Sequence, residues 1–187
     1  MEQYRLTRLE IDLDVIARNA RLLRARTPAQ AKMMAVVKAD AYGHGAVEVS
    51  RAALANGADA LAVAIPEEGA ALREAGIEAP TLVLGGVNAA GAEADVQFGL
   101  TQTVYDERTV ENLQSAAQRL GKTAAAHLKI DSGMGRIGVR TEEEARRVLA
   151  AIEAAPRVKL TGAFTHFATA DEAGGEAFER AQHERFM

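Results

Sequence analysis

The sequence predicts an α/β protein built on a parallel sheet, and three observations lead there. Short apolar runs alternate with longer amphipathic stretches along the whole chain. The runs begin about every 20 to 35 residues, the spacing of repeated β/α units rather than of hairpins. Most runs are apolar throughout, as strands covered on both faces should be.

Taken in order, Met1–Asp12 is charged, and within it Leu6–Ile11 alternates in the manner of a separate strand. A helix is predicted over Asp14–Arg26. Six strands then follow at Met33–Val37, Ala60–Ile65, Leu82–Leu84, Thr101–Tyr105, Ala124–Ile130 and Leu160–Phe164. Helices lie between them. Pro66 suits a first helical residue and Gly76 the end of the same helix. Asp106 can cap a helix that stops at Gly121. Thr141 and Glu144 form a capping box ahead of a helix over Ala145–Ile152. A last helix is expected over Asp171–Met187. No linker rich in Pro, Gly or Ser interrupts the pattern, so residues 1–187 read as a single domain. Six strands suit either a doubly wound open sheet or a (β/α)8 barrel two units short, the complete barrel having about 250 residues. Periodicity does not choose between them.

Composition narrows the function. The 187 residues include 22 Lys+Arg against 26 Asp+Glu, a net charge of −4, and are 48% hydrophobic. Such values belong to a soluble globular protein and exclude disordered or fibrous chains. Without a basic cluster, nucleic acid is not an expected partner. The absence of cysteine excludes a disulfide framework, Cys-ligated zinc, iron–sulfur clusters and thiol catalysis. There is no signal-peptide pattern and no run of about 20 apolar residues, so a cytoplasmic protein with no membrane partner is expected.

Three segments carry candidate chemistry. Val37-Lys38-Ala39-Asp40-Ala41-Tyr42-Gly43-His44-Gly45 puts Lys38 at the end of an apolar strand, the edge where α/β folds place ligands. A lysine amine stripped of water there can condense with an aldehyde. Read alone, Lys38 would be a strand-end lysine reaching solvent, but the flanking glycines also permit close backbone approach to a ligand. His127-Leu128-Lys129-Ile130-Asp131-Ser132-Gly133-Met134-Gly135-Arg136-Ile137-Gly138 contains a G-x-G-x-x-G pattern. A dinucleotide fingerprint should run directly into a helix; here the cap falls later, at Thr141. The glycines more simply shape a loop presenting Arg136, whose planar fork suits a carboxylate. In an alternating strand His127, Lys129 and Asp131 share a face, which is costly unless they belong to a site. Lys129 and Arg136 together would call for an anion, a substrate carboxylate or a carbamate on Lys129. His166 ends the last strand, where an imidazole could stack on a planar ligand. His44 is expected in a mobile glycine loop, His127 on the barrel wall and His183 on a helix surface, none with a chemical role.

The first of these segments resembles the pyridoxal-phosphate lysine motif of alanine racemases. Ile130–Gly138 and Thr165-His166-Phe167-Ala168 are similar to two further signatures of that family, in order and spacing. The resemblance covers essentially the whole chain and implies an N-terminal (β/α)8 TIM barrel, here incomplete with about six β/α units. It implies pyridoxal 5'-phosphate as cofactor, alanine as substrate, a homodimer, and a product, D-alanine, used in cell-wall peptidoglycan. By motif, Lys38 resembles the Schiff-base lysine and one of two catalytic bases, and Tyr42 the tyrosine that binds the cofactor phosphate. Arg136 resembles the arginine near the cofactor's phenolic oxygen and the substrate carboxylate. Lys129 resembles an often carbamylated lysine that orients this arginine, and His166 the histidine beneath the pyridine ring. Leu84 is expected to pack near the ring. No metal is implied.

The same resemblance implies what is missing. Strands seven and eight, the arginine facing the pyridine nitrogen and the C-terminal β-rich domain have no counterpart in these residues. The opposite base in this family is a tyrosine of the partner subunit's C-terminal domain. The chain is therefore expected to be a truncated portion with little or no turnover alone, and to self-associate through its open sheet edges. The alternatives are a non-catalytic pyridoxal-phosphate carrier barrel, another fold-related pyridoxal-phosphate enzyme such as a decarboxylase or aldolase, or an assembly surface.

Overall fold

In the computed structural model, which describes residues 7–187, six parallel strands pair strictly in chain order. They are β1 (Met34–Val36), β2 (Ala60–Val63), β3 (Thr81–Val83), β4 (Thr101–Val104), β5 (Ala124–Lys129) and β6 (Val158–Phe164). The order never reverses, whereas a doubly wound sheet needs a reversal of strand order. The sheet is therefore an incomplete (β/α)8 barrel, with β1 and β6 each paired on one side among the described residues.

Helices α1 (Leu13–Arg26), α3 (Ala46–Ala55), α4 (Pro66–Glu74), α5 (Ala89–Phe98), α6 (Glu107–Leu120), α7 (Glu142–Glu153) and α8 (Glu176–Phe186) accompany the strands, with a short turn, α2 (Lys38–Gly43), directly after β1. The caps act as the sequence predicts. Asp106 accepts the Thr109 amide at the start of α6, and Gly121 ends that helix at φ 65°. Thr141 accepts the Glu144 amide, while the Glu144 carboxylate accepts the amide of Arg140.

The core lies between sheet and helices. Val110, Leu113 and Ala117 of α6 pack with Ala126 and Leu128 of β5 and with Val148 and Ile152 of α7. Leu72 of α4 packs with Leu61, Val63 and Val83 of the first three strands. Gly69 lets α4 approach closely, since a Cβ there would stand 2.5 Å from Leu100 Cδ1. Among the described residues no helix is long and apolar enough to cross a membrane.

Several boundaries differ from expectation. Of the predicted Leu6–Ile11 strand, residues 7–11 form no strand and Leu6 lies outside the described residues. An alternating pattern cannot make a strand without a neighbour to pair with. The final helix begins at Glu176, after turns through Gly174 and Gly175. Strand β6 starts two residues early, at Val158, and carries a bulge: Ala126 faces Leu160 but His127 faces Gly162. Gly162 is required there, because a Cβ would lie 2.8 Å from His127 Nε2.

Candidate active site

The C-terminal ends of the strands enclose a cavity of about 340 Å³, within the size range of small-molecule sites. Its wall is assembled from the ends of five strands: Val36 and Lys38 at β1, Ala64 after β2, Leu84 and Gly85 after β3, Lys129 at the end of β5, and Phe164 and His166 at β6. Tyr42 comes from α2, and Arg136 with Ile137 from the loop after β5. All six residues expected at the cofactor site, Lys38, Tyr42, Leu84, Lys129, Arg136 and His166, thus line one space.

Lys38 is half-buried, with its amine 5.9 Å from the Tyr42 ring centroid. The segment behind it is not the open loop expected. Ala39, Asp40, Ala41 and Tyr42 all have φ between 51° and 56°, a left-handed turn that non-glycine residues seldom adopt. It is tied down at both ends. The Ala41 amide donates to the Val37 carbonyl at 2.9 Å, and the Asp40 carboxylate accepts the Ala46 amide at 2.7 Å. His44, expected in a mobile loop, closes the turn through Nδ1 at 3.0 Å from the Ala41 carbonyl.

Lys129 is 3% exposed. Its amine lies 4.9 Å from the Phe164 ring centroid and 3.5 Å from the Ile130 carbonyl. Burial lowers its pKa to about 8; Asp131 opposes that shift and Arg136 adds to it. At neutral pH a neutral fraction of this amine is therefore accessible. His166 is also held below the ordinary imidazole range, by burial first and then by Arg136, Lys129 and Lys38. It stays uncharged among these cations.

Asp131 departs from the alternation argument. The strand ends before it, and its carboxylate turns into the following loop, accepting the amides of Gly133 at 3.1 Å and Gly135 at 2.9 Å and pairing with Arg140. It does not line the cavity. The Gly-x-Gly-x-x-Gly segment is this loop, closed by a bridge between Ile130 and Val139. Gly138 is needed at φ 127°, with a Cβ position only 2.6 Å from the Asp131 nitrogen.

Three supporting residues were not legible in the sequence. Glu68 accepts the amides of Ala39 and Ala64. Gln182, 1% exposed on a polar helix, accepts the Ala168 amide and donates to the His166 carbonyl. Phe164 forms part of the cavity wall. Glu68 looks like an ordinary first-turn acid, and Gln182 like a surface glutamine; nothing local marks either.

A non-reversing sheet of β/α units with a ligand cavity at its strand ends defines the chain as a barrel protein of (β/α)8 type. The family described as alanine racemase, N-terminal domain, matches residues 11–187, and the chain belongs to that family. It is 47% identical over 184 residues to alanine racemase of Geobacillus stearothermophilus, covering 98% of this chain and 47% of that protein. It is 49% identical over 168 residues to alanine racemase 2 of Oceanobacillus iheyensis, covering 90% of this chain and 43% of the relative. The crystal structure of alanine racemase from Bacillus anthracis with bound L-Ala-P superposes with a TM-score of 0.91 at 39% identity, over 100% of this chain and 48% of that one. The chain thus spans about half the length of the curated relatives it matches.

Proposed function

We propose that this chain supplies the cofactor- and substrate-binding barrel of an alanine racemase, interconverting L- and D-alanine with pyridoxal 5'-phosphate held on Lys38. One observation carries the reading: Lys38, Lys129, Arg136, His166 and Tyr42 line a single cavity. The donor set fits the cofactor, because the Lys38 amine, the Arg136 guanidinium and the Tyr42 phenol, with no carboxylate in the lining, suit a phosphate dianion and an amino-acid carboxylate. When bound, the cofactor supplies an aldehyde that condenses with amines and a ring that takes up the electron pair of a broken Cα–H bond.

The protein's own residues do the rest. The Lys38 amine accepts the Cα proton on one face of the substrate in one direction of the reaction and delivers a proton to that face in the other. The Tyr42 hydroxyl would hold the phosphate, and the Arg136 guanidinium would hold the substrate carboxylate and the cofactor's phenolic oxygen. His166, held below the ordinary imidazole range in this surrounding, and Leu84 would border the ring. The neutral Lys129 amine adds carbon dioxide with loss of one proton, and the resulting carbamate anion orients Arg136.

Inversion requires a second acid–base group on the opposite face, which delivers a proton as Lys38 accepts one and accepts a proton as Lys38 delivers one. In this family a tyrosine of the partner subunit's C-terminal domain fills that role. Residues 1–187 by themselves are accordingly expected to bind the cofactor yet turn alanine over far more slowly than an intact racemase. A homodimer, a cytoplasmic location and a supply of D-alanine for peptidoglycan belong to the same reading.

The test is reconstitution of the chain with pyridoxal 5'-phosphate, followed by borohydride reduction and peptide mapping. The label should fall on Lys38, and Lys38→Ala should lose the visible absorbance. Equal absorbance in that variant would refute the assignment. A loaded chain whose spectrum does not respond to alanine would favour the non-catalytic carrier instead.

A further inference from the structure

Where β1 ends, its ladder with β2 is interrupted. The Val37 amide still donates to the Ala62 carbonyl at 2.8 Å. In a continuing parallel ladder the Val37 carbonyl would in turn accept the amide of Ala64, two residues further along β2. Here that carbonyl accepts the Ala41 amide instead, closing the left-handed turn. The turn therefore leaves two backbone donors to be satisfied elsewhere, Ala64 at the end of β2 and Ala39 immediately after Lys38.

One carboxylate takes both. Glu68, third residue of α4, accepts the Ala39 amide on Oε1 and the Ala64 amide on Oε2, each at 2.7 Å. Pro66 at the helix start fixes the approach of this first turn. Glu68 thus replaces the missing ladder carbonyl and ties the backbone behind Lys38 to a neighbouring strand and helix.

We infer that Glu68 is a positioning residue for Lys38: its carboxylate holds the left-handed turn and with it the direction in which the lysine amine enters the cavity. Four consecutive non-glycine residues in the left-handed region are strained, so the turn persists only while its amides are held. The inference rests on the proposed role of Lys38.

The test uses the full chain with pyridoxal 5'-phosphate as the probe, titrated by visible absorbance, together with amide exchange at Ala39 and Ala64. A glutamine carboxamide offers one acceptor oxygen for two donors. Losing a charge-assisted hydrogen bond should weaken cofactor binding about tenfold. Glu68→Gln should show that loss and faster exchange at both amides while its circular dichroism remains that of the folded chain. Glu68→Asp, which keeps the charge at shorter reach, should fall between. Glu67→Gln, altering the exposed neighbour on the same helical turn, should bind as the unsubstituted chain does. A folded Glu68→Gln that binds the cofactor normally would overturn the inference, as would a loss of thermal stability with unchanged cofactor affinity. Should Glu68→Gln fail to fold, exchange in the unsubstituted chain decides: both amides protected supports the clamp, and rapid exchange at both refutes it. Absence of cofactor absorbance in the unsubstituted chain would instead sink the proposed function, leaving the exchange result to judge Glu68 separately.

Discussion

Two buried carboxylates in this chain end on opposite sides of the usual carboxylate range. Burial pushes the Asp131 carboxyl up, but the amides of Gly135 and Gly133 and the Arg140 guanidinium outweigh it, and the group sits below the usual range. Asp95, fully buried in α5, has both oxygens without a hydrogen-bond partner among the described residues. Burial, reinforced by Glu67, raises its pKa to about 7 from 3.8. A carboxyl whose folded pKa lies above its unfolded one stabilises the fold fully below the unfolded pKa, and that contribution is lost as pH rises through the folded value. Stability should therefore fall between about pH 4 and pH 7, by on the order of 4 kcal/mol from this group. Asp95→Asn should flatten the urea-midpoint profile across that window. A flat profile for the unsubstituted chain would show that Asp95 is hydrated.

Among the elements, those governed by neighbours in sequence were the legible ones. Asp106 and Thr141 start helices where their cap chemistry predicts, because a cap is a contact between residues three apart, and Pro66 starts one through its fixed φ. The α2 turn was not legible: apart from Asp40 nothing in Ala39–Tyr42 favours φ near +50°, and the turn's Ala39 amide is held by Glu68, 29 residues away. Helix α8 has an equally hidden duty. Gln182 accepts the Ala168 amide at 2.9 Å and donates to the His166 carbonyl at 3.1 Å, latching the loop after β6. Gln182→Leu should cost about 1–3 kcal/mol, since a buried donor and acceptor lose their partner. Denaturant unfolding would measure this, and amide exchange at Ala168 should rise with it. An unchanged midpoint would mean that water replaces the side chain.

For the whole molecule, the open sheet is the dominant physical feature. Strands β1 and β6 each present an unpaired edge among the described residues, and Met34, Val36 and Leu160 on them are 39%, 44% and 40% exposed. Edges of this kind template association. A chain of these 187 residues should therefore self-associate as its concentration rises, with sedimentation velocity showing species larger than one chain. A stable monomer across a hundredfold concentration range would contradict this.

By itself the sequence determined the β/α order, most helix starts and the candidacy of Lys38, Tyr42, Lys129, Arg136 and His166. Each of these follows from local periodicity, a cap or a motif spelled out in consecutive residues. Only the tertiary structure decided which polar groups face that cavity and which serve other elements. Asp131 turns away from Lys129 although strict alternation would pair them, and Glu68, Asp95 and Gln182 acquire their roles from residues far along the chain. The reason is that burial and hydrogen-bond partnership are properties of the packed whole: a carboxylate or an amide reads the same in sequence whether water or two backbone amides will meet it.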